Sequence, residues 1–211
     1  MDTNVRKLLE MGDKLFSDRL NLDQLWQEVA LNFFPEMAEF TSTQVVGTDW
    51  ASHLTTSYPL LARRSLGDAL SSLLRPVTLD TTSPGVWMSM RSDHAEDRDS
   101  QAWLEKATIV QRKKMYERGA QFVRATKEGD HSFATFGQCV ISVELNQNRD
   151  TLLYRSWHLK DVGWAEDAEG KIDRIFRKWK PTVSQLVNAF GNRVSDKIKN
   201  RLDKDGQGDA P

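Results

Sequence analysis

The hydrophobic pattern of the chain changes at Gly137, and this change most restricts the folds that the sequence can adopt. Before Gly137, apolar residues recur every three or four positions, which is the spacing of one face of a helix. From Cys139 they alternate with polar residues, which is typical of a half-buried strand. The sequence therefore predicts an α+β fold, in which N-terminal and middle amphipathic helices pack with a small antiparallel β-meander at about residues 138–180.

The part of the chain before this change divides into three predicted segments. Residues 1–35 predict an N-terminal helical hairpin, because two amphipathic stretches follow each other and a proline ends the second. Residues 36–57 have no clean period and are rich in Thr, Ser and Gly, so we expect a long loop that becomes ordered against a neighbour. Residues 58–137 predict a mainly helical segment with a short strand near 86–91, and Gly137 is a typical helix stop.

Residues 138–202 are predicted to contain the antiparallel meander and C-terminal helices. Three alternating stretches are separated by segments that include turns rich in Asn, Asp and Gly, which predicts a three-stranded antiparallel meander. These strands are expected at residues 139–145, 152–157 and 172–179. Thr182 and Gln185 have the spacing of a capping box at the start of the next helix. Residues 203–211 predict a linker-like tail.

The charge balance excludes a strongly basic DNA-binding protein. The 211 residues contain 29 Lys and Arg against 30 Asp and Glu, a net charge of -1. A histone-like protein would need a surplus of Lys and Arg to neutralise phosphates. Residues 1–57 hold four basic and nine acidic side chains, a local charge of -5. This mild asymmetry favours self-association or a partner protein over tight binding of nucleic acid.

Cysteine content and hydropathy indicate the compartment. Cys139 is the single cysteine, so the chain has no internal disulfide framework and no Cys-based zinc site. No apolar run approaches the ~20 residues that cross a bilayer, and the N-terminus lacks the pattern of a secretory signal. We therefore expect no membrane partner and a protein that is made in a reducing cytoplasm.

No catalytic, phosphate-binding or metal-binding motif stands out. None of the four histidines has a metal-ligand spacing, and the Gly-rich phosphate loops and the nucleophile elbow are missing. The sequence thus predicts no catalytic, cofactor-binding or metal residues and no cofactor. One enzymatic alternative stays open, a metal-dependent phosphodiesterase. Its ligands would be His94, Asp97, Asp130 and His131.

Two short basic stretches are the candidate contact residues. They are expected to make transient contacts with a DNA backbone or with a neighbouring subunit. One lies on a predicted helix and the other around the last predicted strand. Their members are Arg112, Lys113, Lys114, Arg174, Arg177, Lys178 and Lys180.

Four stretches, taken in order, resemble one protein family. They are the helical segment 25–35, the helix 65–76 with the aromatic segment 85–90, the Phe-Gly helix end at 133–141, and the turn and basic strand at 167–177 with the helix after it. This order resembles the N-terminal wing region of the head-to-tail connecting, or portal, proteins of short-tailed, T7-like bacteriophages. Portal chains are usually more than twice this length, so the resemblance implies either the N-terminal portion of such a subunit or a trimmed relative of it.

The resemblance implies a structural protein of the virion with a portal wing-like fold. Such subunits form a dodecameric ring at a capsid vertex, through which double-stranded DNA is packaged and ejected without tight binding, and to which the tail attaches. The implied partners are further copies of the chain, the major capsid, scaffolding and tail adaptor proteins, and the terminase. The implied location is the virion, after synthesis in the bacterial host cytoplasm. A non-enzymatic alternative is a small adaptor that binds a partner protein through its acidic N-terminal helices.

Overall fold

The structure, a computed structural model, describes residues 3–45, 47, 49–76, 87–92 and 97–202. The helices in these ranges are α1 (Thr3–Asp18), α2 (Leu20–Phe33), α3 (Tyr58–Leu74), α4 (Arg98–Met115), α5 (Phe122–Phe136), α6 (Val183–Phe190) and α7 (Asp196–Leu202). The strands are β1 (Val140–Leu145), β2 (Leu152–Trp157), β3 (Val162–Glu166) and β4 (Ile172–Arg177). The α+β class is therefore confirmed. The predicted tail at 203–211 lies outside the described residues.

The local signals at two helix ends act as the sequence predicts. Gly137 takes a left-handed conformation with φ of 70° directly after α5. Its N–H donates to the carbonyl of Phe133 at 2.8 Å, which closes the last turn. Thr182 and Gln185 form the complete capping box that begins α6. Both signals act through hydrogen bonds between residues three or four positions apart, so neighbouring elements are not needed to form them.

The strands form two separate hairpins instead of one meander. β1 pairs with β2 and β3 pairs with β4, both antiparallel, and each pair is its own two-stranded sheet. The prediction of three strands in one meander is therefore wrong. A 3-10 turn at Leu159–Asp161 interrupts the path between the sheets and buries Leu159, which is only 2% exposed. Because Leu159 enters the core, the chain changes direction, and the segment after it becomes the strand β3.

Each hairpin packs on a different helix. The first hairpin, β1–β2, lies on α5, where Gly129 faces the side chain of Ile141. The second hairpin, β3–β4, lies on α1, where Gly163 faces the ring of Phe16. Arg19, the single residue between α1 and α2, connects these two helices to the second hairpin. Its guanidinium donates to backbone carbonyls at the start of that hairpin.

The segment 87–92 forms no strand. The predicted strand near 86–91 is therefore wrong over residues 87–91, and residue 86 lies outside the described residues. Instead of pairing with another strand, the segment lies along α4 and is held by side chains. Met90 N–H donates to the hydroxyl of Thr108 at 2.9 Å, and Arg112 Nε donates to the carbonyl of Met88 at 2.7 Å. These side chains bond backbone groups that a neighbouring strand would otherwise bond.

The first part of the predicted long loop is ordered within its own chain. Gln27 on α2 donates to the carbonyl of Ala38 at 2.9 Å and accepts from the N–H of Phe40 at 2.8 Å. Phe40 then packs between Trp26 and Phe136, with ring centroids 5.4 and 5.2 Å away. The expectation that this loop orders only against a neighbour is thus wrong for residues 36–45. We call residues 35–45 the arm.

The contact between α3 and α5 is unusually close at Gly67. A Cβ at this position would overlap the ring of His131. His131 has little room to move, because its Nδ1 lies 3.2 Å from the guanidinium of Arg63 and its Nε2 lies 3.5 Å from Asp68. Arg75 and Asp130, the residue before His131, form an ion pair across the same interface. Gly67 therefore sets the distance between the two helices.

We expect Gly67→Ala to lower the free energy of unfolding by about 1–3 kcal/mol, the usual cost of overpacking. In an open helix the same substitution would stabilise by about 1 kcal/mol. Urea denaturation followed by circular dichroism measures the effect. Gly119→Ala, in the 3-10 turn before α5, is the control for an added methyl group without overlap, since the nearest atom to its new Cβ would be 3.6 Å away. A Gly67→Ala protein as stable as the wild type would contradict the close contact.

Candidate functional site

A cleft of about 830 Å³ lies between α1, the arm and the end of the second hairpin. We call it the cation–aromatic cleft. Its walls combine basic, acidic and aromatic side chains with the hydroxyl groups of the arm. The residues that line it include Asp13, Phe16, Asp23, Glu39, Phe40, Thr41, Ser42, Thr43, Trp157, Lys160, Arg177, Lys178, Trp179 and Lys180. It therefore contains three of the seven predicted contact residues.

Two cations of the cleft, Arg177 and Lys178, lie over aromatic rings. The guanidinium carbon of Arg177 is 4.0 Å from the ring centroid of Trp157 and 5.5 Å from that of Trp179. Lys178 Nζ is 4.0 Å from the ring centroid of Phe16. An arginine stacked in this way still presents N–H donors at the edge of its guanidinium, which suits recognition of carboxylate or phosphate groups.

Ion pairs within the chain support the cleft walls. Lys160 pairs with Glu39 and so ties the arm to the turn before β3. Arg19 Nε lies 3.3 Å from the carboxylate of Asp23. Burial lowers the pKa of Arg19 and raises the pKa of Asp23 from their ordinary values. These pairs position the cleft from inside the chain, while Arg177 and Lys178 are exposed.

His158 fastens the arm through both nitrogens of its ring. Nε2 lies 3.1 Å from the carbonyl of Met37, and Nδ1 accepts the backbone N–H of Lys160 at 3.1 Å. This arrangement requires the neutral ring with its proton on Nε2. A second proton, on Nδ1, would point at the N–H of Lys160 and break that bond. Burial, the largest cause, lowers the pKa of His158 below its ordinary value of 6.5.

The other predicted contact residues lie outside the cleft. Arg174 pairs with Asp173 on the surface of β4 at 3.1 Å. Arg112 binds the segment 87–92, and Lys114 pairs with Glu117 at 2.7 Å. Lys113 is exposed on α4. The structure therefore brings together Arg177, Lys178 and Lys180, and it leaves Lys113 and Lys114 exposed on α4, apart from the cleft.

The four residues of the enzymatic alternative serve other purposes where they are described. Asp130 pairs with Arg75, and His131 packs against α3. Asp97 is the N-cap of α4 and accepts the N–H of Ser100 at 3.0 Å. His94 lies outside the described residues. In the described ranges, no three His, Cys, Asp or Glu side chains are grouped so as to hold a metal ion.

Sequence reasoning missed several residues of the cleft. Trp179 follows Arg177 by two positions, and this spacing in an extended segment signals that both lie on one side. Glu39 and Lys160 carry no such signal, because 121 positions separate them and only the folded chain brings them together.

Large apolar side chains are exposed on several elements of the described chain. They lie on α1, α3, α4 and β4, and examples are Leu8, Leu9, Leu61, Leu66, Trp103, Val110, Ile172 and Ile175. Exposed apolar faces of this kind mark surfaces that other proteins cover. Together with a cleft that offers stacked cations, they are features of a protein that acts through contacts with other molecules.

The chain belongs to the family of bacteriophage head to tail connecting proteins, whose sequence model matches residues 5–210. It is thus a structural connector of the phage particle, and its location is the virion. No curated protein sequence matches the chain significantly. Among the described helices, none combines the length and the apolar character that a bilayer-spanning segment needs.

We expect the free energy of unfolding to fall as the pH drops below about 6.5, the ordinary pKa of histidine. The pKa values of both His158 and His131 are lowered, mainly by burial, so the unfolded chain binds these protons more readily than the folded chain. The stabilisation of the folded chain by these two neutral histidines is complete above pH 6.5 and is lost as the pH falls further. Urea denaturation at pH 7.5 and pH 5.5 measures this dependence.

The variant His158→Gln should show a smaller loss of stability between these pH values than the wild type. The matched control is His53→Gln, because His53 lies exposed in the loop before α3. An equal reduction of the pH dependence in this control would show that the loss of any histidine, and not of the contacts of His158, causes the effect. Equal pH dependence in His158→Gln and wild type would show that His158 does not fasten the arm in its neutral form.

Proposed function

We propose that the chain is a subunit, or the N-terminal portion of a subunit, of the ring-shaped portal at the capsid vertex of a short-tailed, T7-like bacteriophage. In this role it assembles with further copies of itself into a dodecamer. DNA passes through the ring during packaging and ejection, and the tail attaches to it. The family membership supports the connector role, and the resemblance of the four sequence stretches supports its portal form.

The observation that carries this proposal is the amount of apolar surface left exposed on the described elements. Trp103 on α4 is 65% exposed and Ile175 on β4 is 64% exposed. Large apolar side chains with this exposure on several elements favour burial against neighbouring subunits over a free monomer. Five parts would take distinct places in the subunit: a helical hairpin (1–35), a loop (36–57), a helical wing (58–137), the hairpins with the C-terminal helices (138–202) and a tail (203–211).

The distribution of charge suits a conduit for DNA. The net charge is -1, and several of the basic side chains already pair with acidic ones in the chain. A surface that made six to ten phosphate contacts would bind DNA tightly and with a steep dependence on salt. Dispersed charge lets DNA slide without being held. No catalytic residue and no cofactor take part, and the terminase supplies the work of packaging.

The basic residues of the cation–aromatic cleft bind other proteins in this assembly. Arg177, Lys178 and Lys180 in the cation–aromatic cleft bind acidic side chains of a neighbouring subunit or of an adjoining virion protein. These adjoining proteins are the major capsid, scaffolding and tail adaptor proteins. The stacking of Arg177 on two tryptophans supports this role, because an immobilised guanidinium loses less entropy when it binds a carboxylate.

We expect the purified 211-residue chain to form a closed ring, or at least to self-associate as its concentration rises. The physical reason is the burial of the exposed apolar faces. Mass photometry and negative-stain electron microscopy measure the mass and the symmetry of the particles.

A compact monomer at high concentration would contradict ring formation by this chain. A complex of one chain with a single partner protein, without self-association, would instead support the adaptor function. Heat of divalent-metal binding in calorimetry, lost in His131→Ala, would support the phosphodiesterase.

A further inference from the structure

An apolar groove of about 470 Å³ lies on the face of the second hairpin that is turned away from α1. Gly163 and Phe176 are cross-strand partners on the face that packs on α1. Trp164 and Ile175 are the next partners, so their side chains lie on the opposite face and line the groove. Phe133 near the end of α5 and Cys139 before β1 form the other wall.

One end of this groove is acidic. Glu166 lines the groove and begins the turn of the second hairpin, and Ile172 lines it where that turn ends. Residues 166–171 contain three acidic side chains and one lysine, which gives the turn a charge of -2. The groove therefore presents an apolar floor, with Ile172 56% exposed, beside a negatively charged rim.

Helix α4 carries a face of matching chemistry. Trp103, Ile109 and Val110 are 65%, 61% and 59% exposed. Lys106 and Lys113 precede and follow Val110 by one helical turn, so they border the same face. The opposite side of α4 is already used, because Thr108 and other residues there bind the segment 87–92. The outer face of α4 from Trp103 to Lys113 is thus apolar with basic residues beside it.

We propose that the outer face of α4 of one copy seats in the groove of the next copy, with Lys113 beside the acidic rim at Glu166. This inference rests on the proposed ring and names a contact that holds it together. The helix and the groove are different surfaces of one chain, so the contact is heterologous. A heterologous contact repeats from subunit to subunit and generates a ring when the rotation closes.

The native Cys139 in the groove provides a direct test. In the variant Val110→Cys, a short bis-maleimide should join the introduced thiol on α4 of one copy to Cys139 of the next. Because every copy then carries both thiols, the product should be a ladder of covalently joined subunits on a denaturing gel. The double variant Val110→Cys/Cys139→Ser should give no species larger than a dimer.

The matched control is Val5→Cys, which places a thiol at an exposed apolar position on α1. It should give no ladder. Rings in mass photometry without a ladder from Val110→Cys would overturn the assignment of α4 while leaving the proposed function intact. A ladder from Val5→Cys would show that α1 occupies the groove. Dimers alone from Val110→Cys would indicate a two-fold contact and would also overturn the proposal. A failure of every variant to self-associate would overturn the ring itself.

Charge reversal gives an independent test of the same contact. Lys113→Glu and Glu166→Lys should each weaken self-association by about ten-fold, because each places like charges together at the rim. The double variant should restore most of the wild-type association. If both single variants weaken self-association and the double variant does not restore it, these two side chains do not contact each other.

Discussion

Helix α5 holds the rest of the fold together, because it lets its neighbours approach closely. Gly129 leaves room for Ile141 on the first hairpin, and His131 fits against Gly67 on α3. Side chains in such close-packed contacts have no space to shift, so they fix the distances between these elements. The end of α5 also packs on the arm through Phe136, and the arm in turn forms one wall of the cleft. The place of the cation–aromatic cleft therefore depends on α5.

The internal ion pairs and the exposed surfaces have different tasks in a connector subunit. Lys160 and Glu39 pair with each other and hold the cleft in shape. In the proposed function, the stacking of Arg177 on tryptophan positions its donors before a partner binds, so less freedom is lost on binding. The apolar faces of α4 and β4 differ from these groups, since they gain stability only when another protein covers them.

Elements defined by local chemistry could be predicted from the sequence. The periodic spacing marked the helices, and Gly137 and the pair Thr182 and Gln185 marked two of their ends. The first two strands and the last were also found, because alternation and turn residues are properties of short segments. The division into two hairpins was not, since it depends on the burial of Leu159 against distant elements. The segment 87–92 has the composition of a strand, yet side chains of α4 satisfy part of its backbone instead.

The sequence by itself determined the fold class, several helix ends and the absence of a large positive charge. It also placed Arg177, Lys178 and Lys180 near one another, because they are close in the chain. Only the tertiary structure decided which tryptophans stack on Arg177 and which basic residues are already engaged within the chain. The physical reason is distance: hydrogen bonds of caps and turns form between residues a few positions apart, whereas a cleft needs side chains that only the complete packing brings together.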